Sequence, residues 1–458
     1  RCPLDQDVVF KARGITVSGQ TAVFECGTPG QPVQGSVRII LTGSESNMGM
    51  GIKAIVATMG GTIRMSGGTE RAGFLRLEDT ASVGSTQITL RESVAGKWMK
   101  GDQIVIAVTG FNRQAAEGAS IASQNERRFI TGISPDGMTL SFEQPLLYNH
   151  FAGLQEYSNG KDYVLDESGY VVNLERNIEI VSEEDEHTDN QIGGHMMLMK
   201  TARGYLDGVE LVRMGQMGHI ARYPFHWHRM GNVYGQYIKN SSIYDSFQRC
   251  ITVHGTQKAL VQGNTCFNTY GHAIFLEDGD EEYNRIHGNI VIETRKVPPE
   301  RALLQSDFVD KKVDIFPAPA SYWISNPNND IRNNVAIASH GTGFWMSFVD
   351  EVRCTGAGCI QGSPEAPTHR PATTPSWTFD DNVAASCVVG MTWDGAQQGQ
   401  EMGNPNNVLD RAIDFSHYDP SVNSQPGGVP VVPTFSGLVI YKNSRAGLYV
   451  RGEQVIFE

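Results

Sequence analysis

Four side chains set the chemical question in this sequence. His226 and His228 lie in residues 221–231 (ARYPFHWHRMG), His254 in residues 247–255 (FQRCITVHG) and Glu277 in residues 270–279 (YGHAIFLEDG). Imidazoles and carboxylates are the groups that hold divalent metals and move protons near neutral pH. Whether these four can act together depends on the elements that carry them.

Two of the segments are one unit written twice. A shift of 23 residues lays Ile243-Tyr244-Asp245-Ser246 on Cys266-Phe267-Asn268-Thr269. The same shift lays Cys250-Ile251-Thr252-Val253-His254 on Ala273-Ile274-Phe275-Leu276-Glu277. A short fixed period marks a stacked repeat, and β-branched alternation with no helical run predicts one coil of a parallel β-helix. Side chains alternate across a strand. Phe225 and Trp227, Ile251 and Val253, and Ile274 and Leu276 should therefore face the core. His226 and His228, Thr252 and His254, and Phe275 and Glu277 should face out. Stacked strands lie about 4.8 Å apart, so His228, His254 and Glu277 should form one outward column, with His226 beside it, on a patch about 7 Å across.

Such a patch supports three readings. A divalent metal (zinc, calcium or manganese) could be held by His226, His228, His254 and Glu277, with a position left for water or substrate. His195, in IGGHMML before the first coil, could add a ligand. Without a metal, Glu277 or Asp278 could act as general acid or base beside His254. The third reading is a structural polar ladder, although cationic neighbours repel. Arg222 and Arg249 flank the cluster, and His272 takes the place of Arg249 one coil on. A guanidinium there could grip a uronate carboxylate or pair with Asp278 or Asp245. The expected catalytic set is Glu277, Asp278, His254, Arg249 and Arg222. Arg229, His272, Tyr322, Trp323 and Trp345 are expected to meet substrate.

Composition fits the solenoid. Fifty glycines and 19% charged residues suit a turn-rich β protein, and a chain of 458 residues escapes the size limit of a single core if each coil packs only on its neighbours. The net charge of −13 argues against nucleic acid as partner. It also disfavours broad capture of a polyanion, leaving a local basic patch of Arg222, Arg229, Arg249 and Lys258 for that purpose. No run of 18 apolar residues marks a membrane span. None of the seven cysteines shows zinc-type pairing. Cys2/Cys26 and Cys354/Cys359 suit local disulfides, whereas Cys250 and Cys266 lie in different columns and are left unpaired. Disulfides favour a secreted or cell-surface location. The first residues, RCPLDQDVVF, do not read as a signal peptide, so removal of one, or excision of a fragment, is expected.

Taken in order, residues 1–107 read as a β cap and 108–190 as connecting β segments. The acidic run 183–190 is expected to be a solvated loop, or less regularly a calcium loop. Residues 191–458 read as the β-helix, with long loops at 293–329 and 360–435. Ser241, Asn264, Asn289 and Asn334 should stack at equivalent turns. Residues 437–453 begin another coil, so continuation of the natural protein past residue 458 is expected.

Residues 26–43 (CGTPGQPVQGSVRIILTG), 60–67 (GGTIRMSG), 98–107 (WMKGDQIVIA) and 140–150 (LSFEQPLLYNH) carry a resemblance, as do RMGQMGHIARYPFHWHRMGN, FQRCITVHGT, GHAIFLEDG and YKNSRAGLYVRG. The chain resembles the family of eight-glycine-domain and β-helix proteins. That family includes a cell-migration-inducing hyaluronan-binding protein, a transmembrane cell-surface hyaluronidase and fibrocystin-like receptors. The resemblance implies a secreted or surface β-helix with glycan-related activity, its eight-glycine domain truncated at the start. The fold expected is all-β: a right-handed parallel β-helix of the pectate-lyase-like type behind an N-terminal β cap. The function expected is a hyaluronidase-like, endo-acting polysaccharide hydrolase. The alternatives are a polysaccharide lyase, or a non-catalytic glycan-binding module that uses Tyr322, Trp323, Phe344 and Trp345 as a platform.

Overall fold

Short alternating strands, each ended by a turn, stack into three long parallel sheets. The computed structural model describes residues 1–46, 49–111, 123–158, 162–308, 317–350, 352, 370–397, 413–414, 417–451 and 455–457. The first sheet runs through ten strands from Val8–Ala12 to Val439–Tyr441, and the second through ten from Ile15–Ser18 to Ala446–Val450. The third has eight, from Val23–Cys26 to Thr378–Asp380. Successive coils supply one strand to each sheet in turn, which makes a parallel β-helix, and the crossover rule assigns it the right hand.

The inward faces form one continuous core. Phe225, Trp227, Ile251, Val253, Ile274 and Leu276 all lie in it, as the alternation predicts. The turn ladder is also present and longer than expected. Ser241 N donates to Asn264 Oδ1, Asn264 to Asn289, Asn289 to Asn334, and Asn334 to Asn382, each at 2.9–3.1 Å. Every amide satisfies a buried backbone group of the coil beside it, so the ladder fixes the register of the stack.

The N-terminal region divides differently from the cap expected over residues 1–107. Val8–Ala12 and Val37–Leu41 pair in the first sheet, and Val37–Leu41 then pairs with Ile178–Ser182. Residues 8–66 are thus the first two coils of the helix itself. The chain leaves the solenoid after Thr62–Ser66 and builds antiparallel sheets, one of them from Phe74–Arg76, Gln103–Ile106, Glu126–Phe129 and Tyr170–Asn173. Period-2 alternation is shared by parallel and antiparallel strands, so the pattern alone could not separate the two. The apolar side of this module (Val105, Ala107, Tyr170, Val172) covers Val181, Val212, Tyr244 and Phe267 on the outer face of the first sheet. Arg127 locks the module down through an ion pair with Asp245.

Three other expectations change. The region 360–435 is not all loop, because Thr378–Asp380, Val383–Ala385 and Val389–Trp393 build coil strands there. The acidic run holds a one-turn helix, Glu186–Asp189, capped by Asp185, which also pairs with the buried Lys53 Nζ at 2.8 Å. Cys250 and Cys266 are joined by a disulfide, as are Cys2 and Cys26. The columns of Cys250 and Cys266 differ, but both side chains point into the same narrow core. Cys354 and Cys359 lie outside the described residues. Among the described residues, no helix is long and apolar enough to cross a membrane.

Candidate functional site

The outer face of the second sheet carries the histidines. Phe225–Asn232 pairs in parallel with Ile251–Gln257, which sets His226 against Thr252 and His228 against His254. Glu277 follows Ile274–Leu276, and its N–H donates to Val253 O at 3.1 Å. Strand register therefore stacks His228, His254 and Glu277, as the spacing predicts. Ligating atoms of His226, His228 and His254 all lie within 4.8 Å of one another, as do those of His254, Glu277 and Asp278.

Distances inside the cluster are short. His228 Nδ1 and His254 Nδ1 are 3.2 Å apart, and Glu277 Oε2 is 3.5 Å from the same His254 nitrogen. His254 Nε2 is 2.8 Å from Asp278 Oδ2. The His226 ring stacks on the His254 ring with 5.7 Å between centroids and 8° between planes. His226 Nδ1 reaches Ala221 O at 3.4 Å, while its Nε2 is buried with no hydrogen-bond partner. Burial and the neighbouring His228 and His254 hold His226 far below the usual imidazole range. Burial, His254 and Arg229 bring His228 down to about 3. Burial opposes charge on His254 as well, but Glu277 and Asp278 outweigh it and raise His254 to about 9. Without a ligand, then, the cluster holds two neutral imidazoles and one imidazolium braced by two carboxylates.

A bulge brings Arg229 into the group. Strand register shifts between His228 and Gly231, and Arg229 takes the left-handed φ of 51°. Two successive side chains thereby reach the outer face, and Arg229 Nε approaches His254 Nε2 at 3.3 Å. Asp278 is held by a residue that the spacing did not single out. Buried Glu281 accepts from the N–H groups of Gly255, Asp278 and Gly279 and from Ser325 Oγ. Burial, Asp280 and Asp278 push the Glu281 carboxyl well above its usual range. The run Leu276-Glu277-Asp278-Gly279-Asp280-Glu281-Glu282 was the available signal, because so many acids directly after a buried strand need partners.

Other expected residues fall outside the cluster. His195 is buried one coil below, two residues before Met197, the partner of His226. Burial and Arg222 push it down to about 3. A Cβ on Gly51 would lie 2.8 Å from Arg222 Nε and 3.3 Å from His195 Nε2, so that loop closes on both. Arg222 is half-buried, and no carboxylate pairs with it among the described residues.

Arg249 does not face substrate. Its side chain and that of Asp307 are both 0% exposed, and its two terminal nitrogens bind the two oxygens of Asp307. Asp307 comes from the excursion after Ile290–Arg295, which folds back over this part of the sheet. His272 is closed in by the same excursion, with Nε2 on Ser306 Oγ at 2.8 Å and Nδ1 accepting from Ala320 N at 3.0 Å. The aromatic platform also fails. Tyr322 and Trp323 lie in the strand Ala320–Ile324 rather than in a loop. Tyr322 faces the core, stacked on Phe344 at 4.6 Å, and its hydroxyl donates to Asn289 O. Trp323 and Trp345 do face outward, in register with Phe275, but Leu304 and Ala318 cover them.

Two family models match the chain: the G8 domain over residues 2–78 and the CEMIP beta-helix over residues 191–391. The first corresponds to the opening two coils and the strand that leaves them. The second contains the histidine cluster. The cell surface hyaluronidase CEMIP2 of Homo sapiens is 29% identical over 412 residues, which cover 82% of this chain and 28% of that protein. Fibrocystin-L of Mus musculus is 29% identical over 387 residues, covering 76% of this chain and 8% of its own length. The chain thus spans 28% of the first relative and 8% of the second. Among solved structures, the tailspike protein gp49 from Pseudomonas phage LKA1 aligns over 99% of this chain and 68% of its own, with 10% identity and a TM-score of 0.24.

Proposed function

We propose that this chain, which matches the G8 domain and CEMIP beta-helix models in tandem, is an extracellular enzyme that hydrolyses glycosidic bonds within a polysaccharide. Hyaluronan is the first substrate to try, because two relatives are named cell surface hyaluronidases. The observation that carries the reading is the pair of imidazole nitrogens, His228 Nδ1 and His254 Nδ1, facing each other at 3.2 Å with Glu277 3.5 Å from the second. Ligand atoms on a tetrahedral ion with bonds of about 2.0–2.1 Å sit about 3.4 Å apart. The spacing also suits an N–H···N hydrogen bond, but that leaves the buried Nε2 of His226 without a partner. A divalent metal held by His226, His228 and His254, whose ligating atoms lie within 4.8 Å of one another, would give that nitrogen a partner, with the Glu277 carboxylate beside His254 Nδ1. When bound, it acts as a Lewis acid and acidifies a water.

This chain's own residues do the rest. Asp278, whose side chain is 36% exposed, reaches the solvent edge of the cluster; it takes a proton from the attacking water as general base and returns it as general acid to the scissile oxygen, so that one C–O bond forms as the other breaks. Glu281 fixes its backbone. Arg222 and Arg229 present cations to an acidic sugar, whereas Arg249 is committed to Asp307. The competing reading, a glycan-binding module without catalysis, loses the platform it relied on, since Tyr322, Trp323 and Trp345 are buried.

The test combines elemental analysis of protein purified without chelator with size analysis of hyaluronan. Wild type should carry about one metal per chain and shorten the polymer, and His228→Ala should do neither. Asp278→Asn should keep the metal and lose roughly 10²–10⁴-fold in rate. Metal-free wild type would sink the metal site, and undiminished cleavage by His228→Ala and Asp278→Asn would sink the assignment of the centre.

A further inference from the structure

The strands that carry the cluster all end at the same corner. Phe225–Asn232, Ile251–Gln257 and Ile274–Leu276 turn there into the third-sheet strands Tyr237–Lys239, Leu260–Gln262 and Arg285–His287. A cavity of about 440 Å³ opens along that corner, lined among others by Tyr234, Lys258, Leu260, Tyr283, Arg285 and Trp377. A second cavity, of about 680 Å³, shares Tyr283 and Trp377 with it, so the two rings form a ridge in one longer groove.

Trp377 is out of keeping with the other tryptophans of the chain, and two exposed tyrosines line the same groove. Tyr234 is 83% exposed, Tyr283 45% and Trp377 41%, whereas none of the other five tryptophans exceeds 6%. Tyr283 and Trp377 sit edge to face at 6.4 Å, and the Arg285 guanidinium lies 6.0 Å over the indole. Exposed aromatic area held in place is unfavourable unless a ligand covers it, and clustered exposed rings mark binding sites. No carboxylate pairs with Lys258 or Arg285 among the described residues, in a chain whose net charge is −13.

We propose that this corner groove is a saccharide-binding subsite. Sugar rings lay their C–H faces on Trp377, Tyr283 and Tyr234, and a carboxylate or sulfate on the sugar meets Lys258 and Arg285. Three features favour a glycan chain over a protein partner. The groove is concave. Its aromatics are amphipathic rings that pack apolar faces and leave polar edges to hydrogen-bond. It also runs along the stack: Tyr237, Leu260, Arg285, Asp330 and Thr378 are register partners, so the lining from Tyr234 to Trp377 spans four coil steps, about 19 Å. His254 and Lys258 are four residues apart, about 13 Å along the chain, so a short oligosaccharide reaches from the ridge to the histidine cluster. The inference deepens the proposed glycan hydrolysis and rests on it for its orientation, while binding in the groove is measurable without cleavage.

The experiment therefore uses His228→Ala as its background. Calorimetry with hyaluronan, chondroitin sulfate and neutral cello-oligosaccharides of graded length gives affinity, and tryptophan emission reports on Trp377, the exposed indole. The expected result is a shift in emission on binding, and roughly tenfold weaker affinity in each of Trp377→Ala and Tyr283→Ala. Lys258→Ala with Arg285→Ala should erase the preference for acidic over neutral chains. In the cleaving wild-type background, Trp377→Ala should raise KM for long chains and spare the shortest cleavable ones. Unchanged affinity in Trp377→Ala and Tyr283→Ala, or no binding of any probe, overturns the subsite. Groove binding by a wild type that cleaves nothing supports the subsite and sinks the hydrolase.

Discussion

Asp307→Ala is the perturbation that best separates a buried structural arginine from a substrate-gripping one. In the native chain Arg249 and Asp307 are both fully buried, and the guanidinium also lies 4.2 Å over the Phe275 ring. Asp307 accepts from the N–H groups of Leu303 and Leu304, which closes the turn that docks the excursion on the sheet. Removing the carboxylate strands a buried cation, which costs about 3–5 kcal/mol. The N–H groups of Leu303 and the buried Leu304 lose an acceptor as well, so about 4 kcal/mol is a conservative centre. That loss should appear locally, because solenoid segments open without global unfolding. Hydrogen exchange over residues 297–308 should therefore accelerate by about 10³-fold, since each 1.4 kcal/mol is tenfold. The double variant Arg249→Met, Asp307→Leu should recover most of the protection, because no charge is then left buried. Acceleration of less than tenfold in Asp307→Ala, or a double variant worse than the single, would refute the account of Arg249 as a clamp on the excursion.

Two further outcomes follow from the same physics. Asn289→Ala removes the acceptor of Asn264 N and the donor to Val261 O; with buried groups left unpaired, urea denaturation should show a loss of about 3 kcal/mol or more. Stability should fall as pH rises from about 6.5 to 8, as thermal melts can show. Burial, with Glu175 adding to it, raises Glu210 to about 8, against 4.5 for an unburied carboxyl. The folded chain thus holds a proton there that the unfolded chain has released, and the stability this gives is lost as pH climbs through 8. The slope is about 1.4 kcal/mol per pH unit for one such proton. Glu210→Gln should flatten it, and a melt that rises with pH over this range would contradict the sign.

Legibility of this chain depended on which interactions were local to a repeat. The inward set, the His228–His254–Glu277 column and the asparagine ladder all follow from period and alternation, and those are written in adjacent coils. The partners that decide exposure are not. Arg249 and Asp307 are 58 residues apart, and His272 and Ala320 are 48 apart. Nothing in the alternation of Cys250-Ile251-Thr252-Val253-His254 says that a later excursion will cover the positions beside it. Arg229 is a second case: its place next to His228 marks it for the site, yet a strict period-2 reading points it inward, and only the bulge after His228 turns it to the cluster. The N-terminal coils were missed for a third reason. Residues 67–177 interrupt the stack between Thr62–Ser66 and Arg203–Asp207, which nevertheless pair directly, so no fixed period crosses the interruption.

The outer faces of the β-helix are thus covered unevenly, and the uneven cover locates the chemistry. The antiparallel module seals the first sheet through Val105, Ala107 and Tyr170, and the excursion seals the second beyond Phe275 through Leu304 and Ala318. Below the cluster, Met197 and Met199 are the register partners of His226 and His228, so apolar side chains end the polar column on that side. What remains open is the strand-end edge, where Asp278 is 36% exposed and Arg229 arrives through the bulge. An imidazole cluster walled by apolar packing on two sides and wet on one is a setting in which a bound ion keeps its charge unscreened while a chain-like substrate still has access. The exposed aromatics then occur where such a substrate would leave the edge, around the corner at Tyr283 and Trp377. A structural ladder of histidines has no need of that opening, nor of the acidic turn Asp278–Glu281 built to hold it.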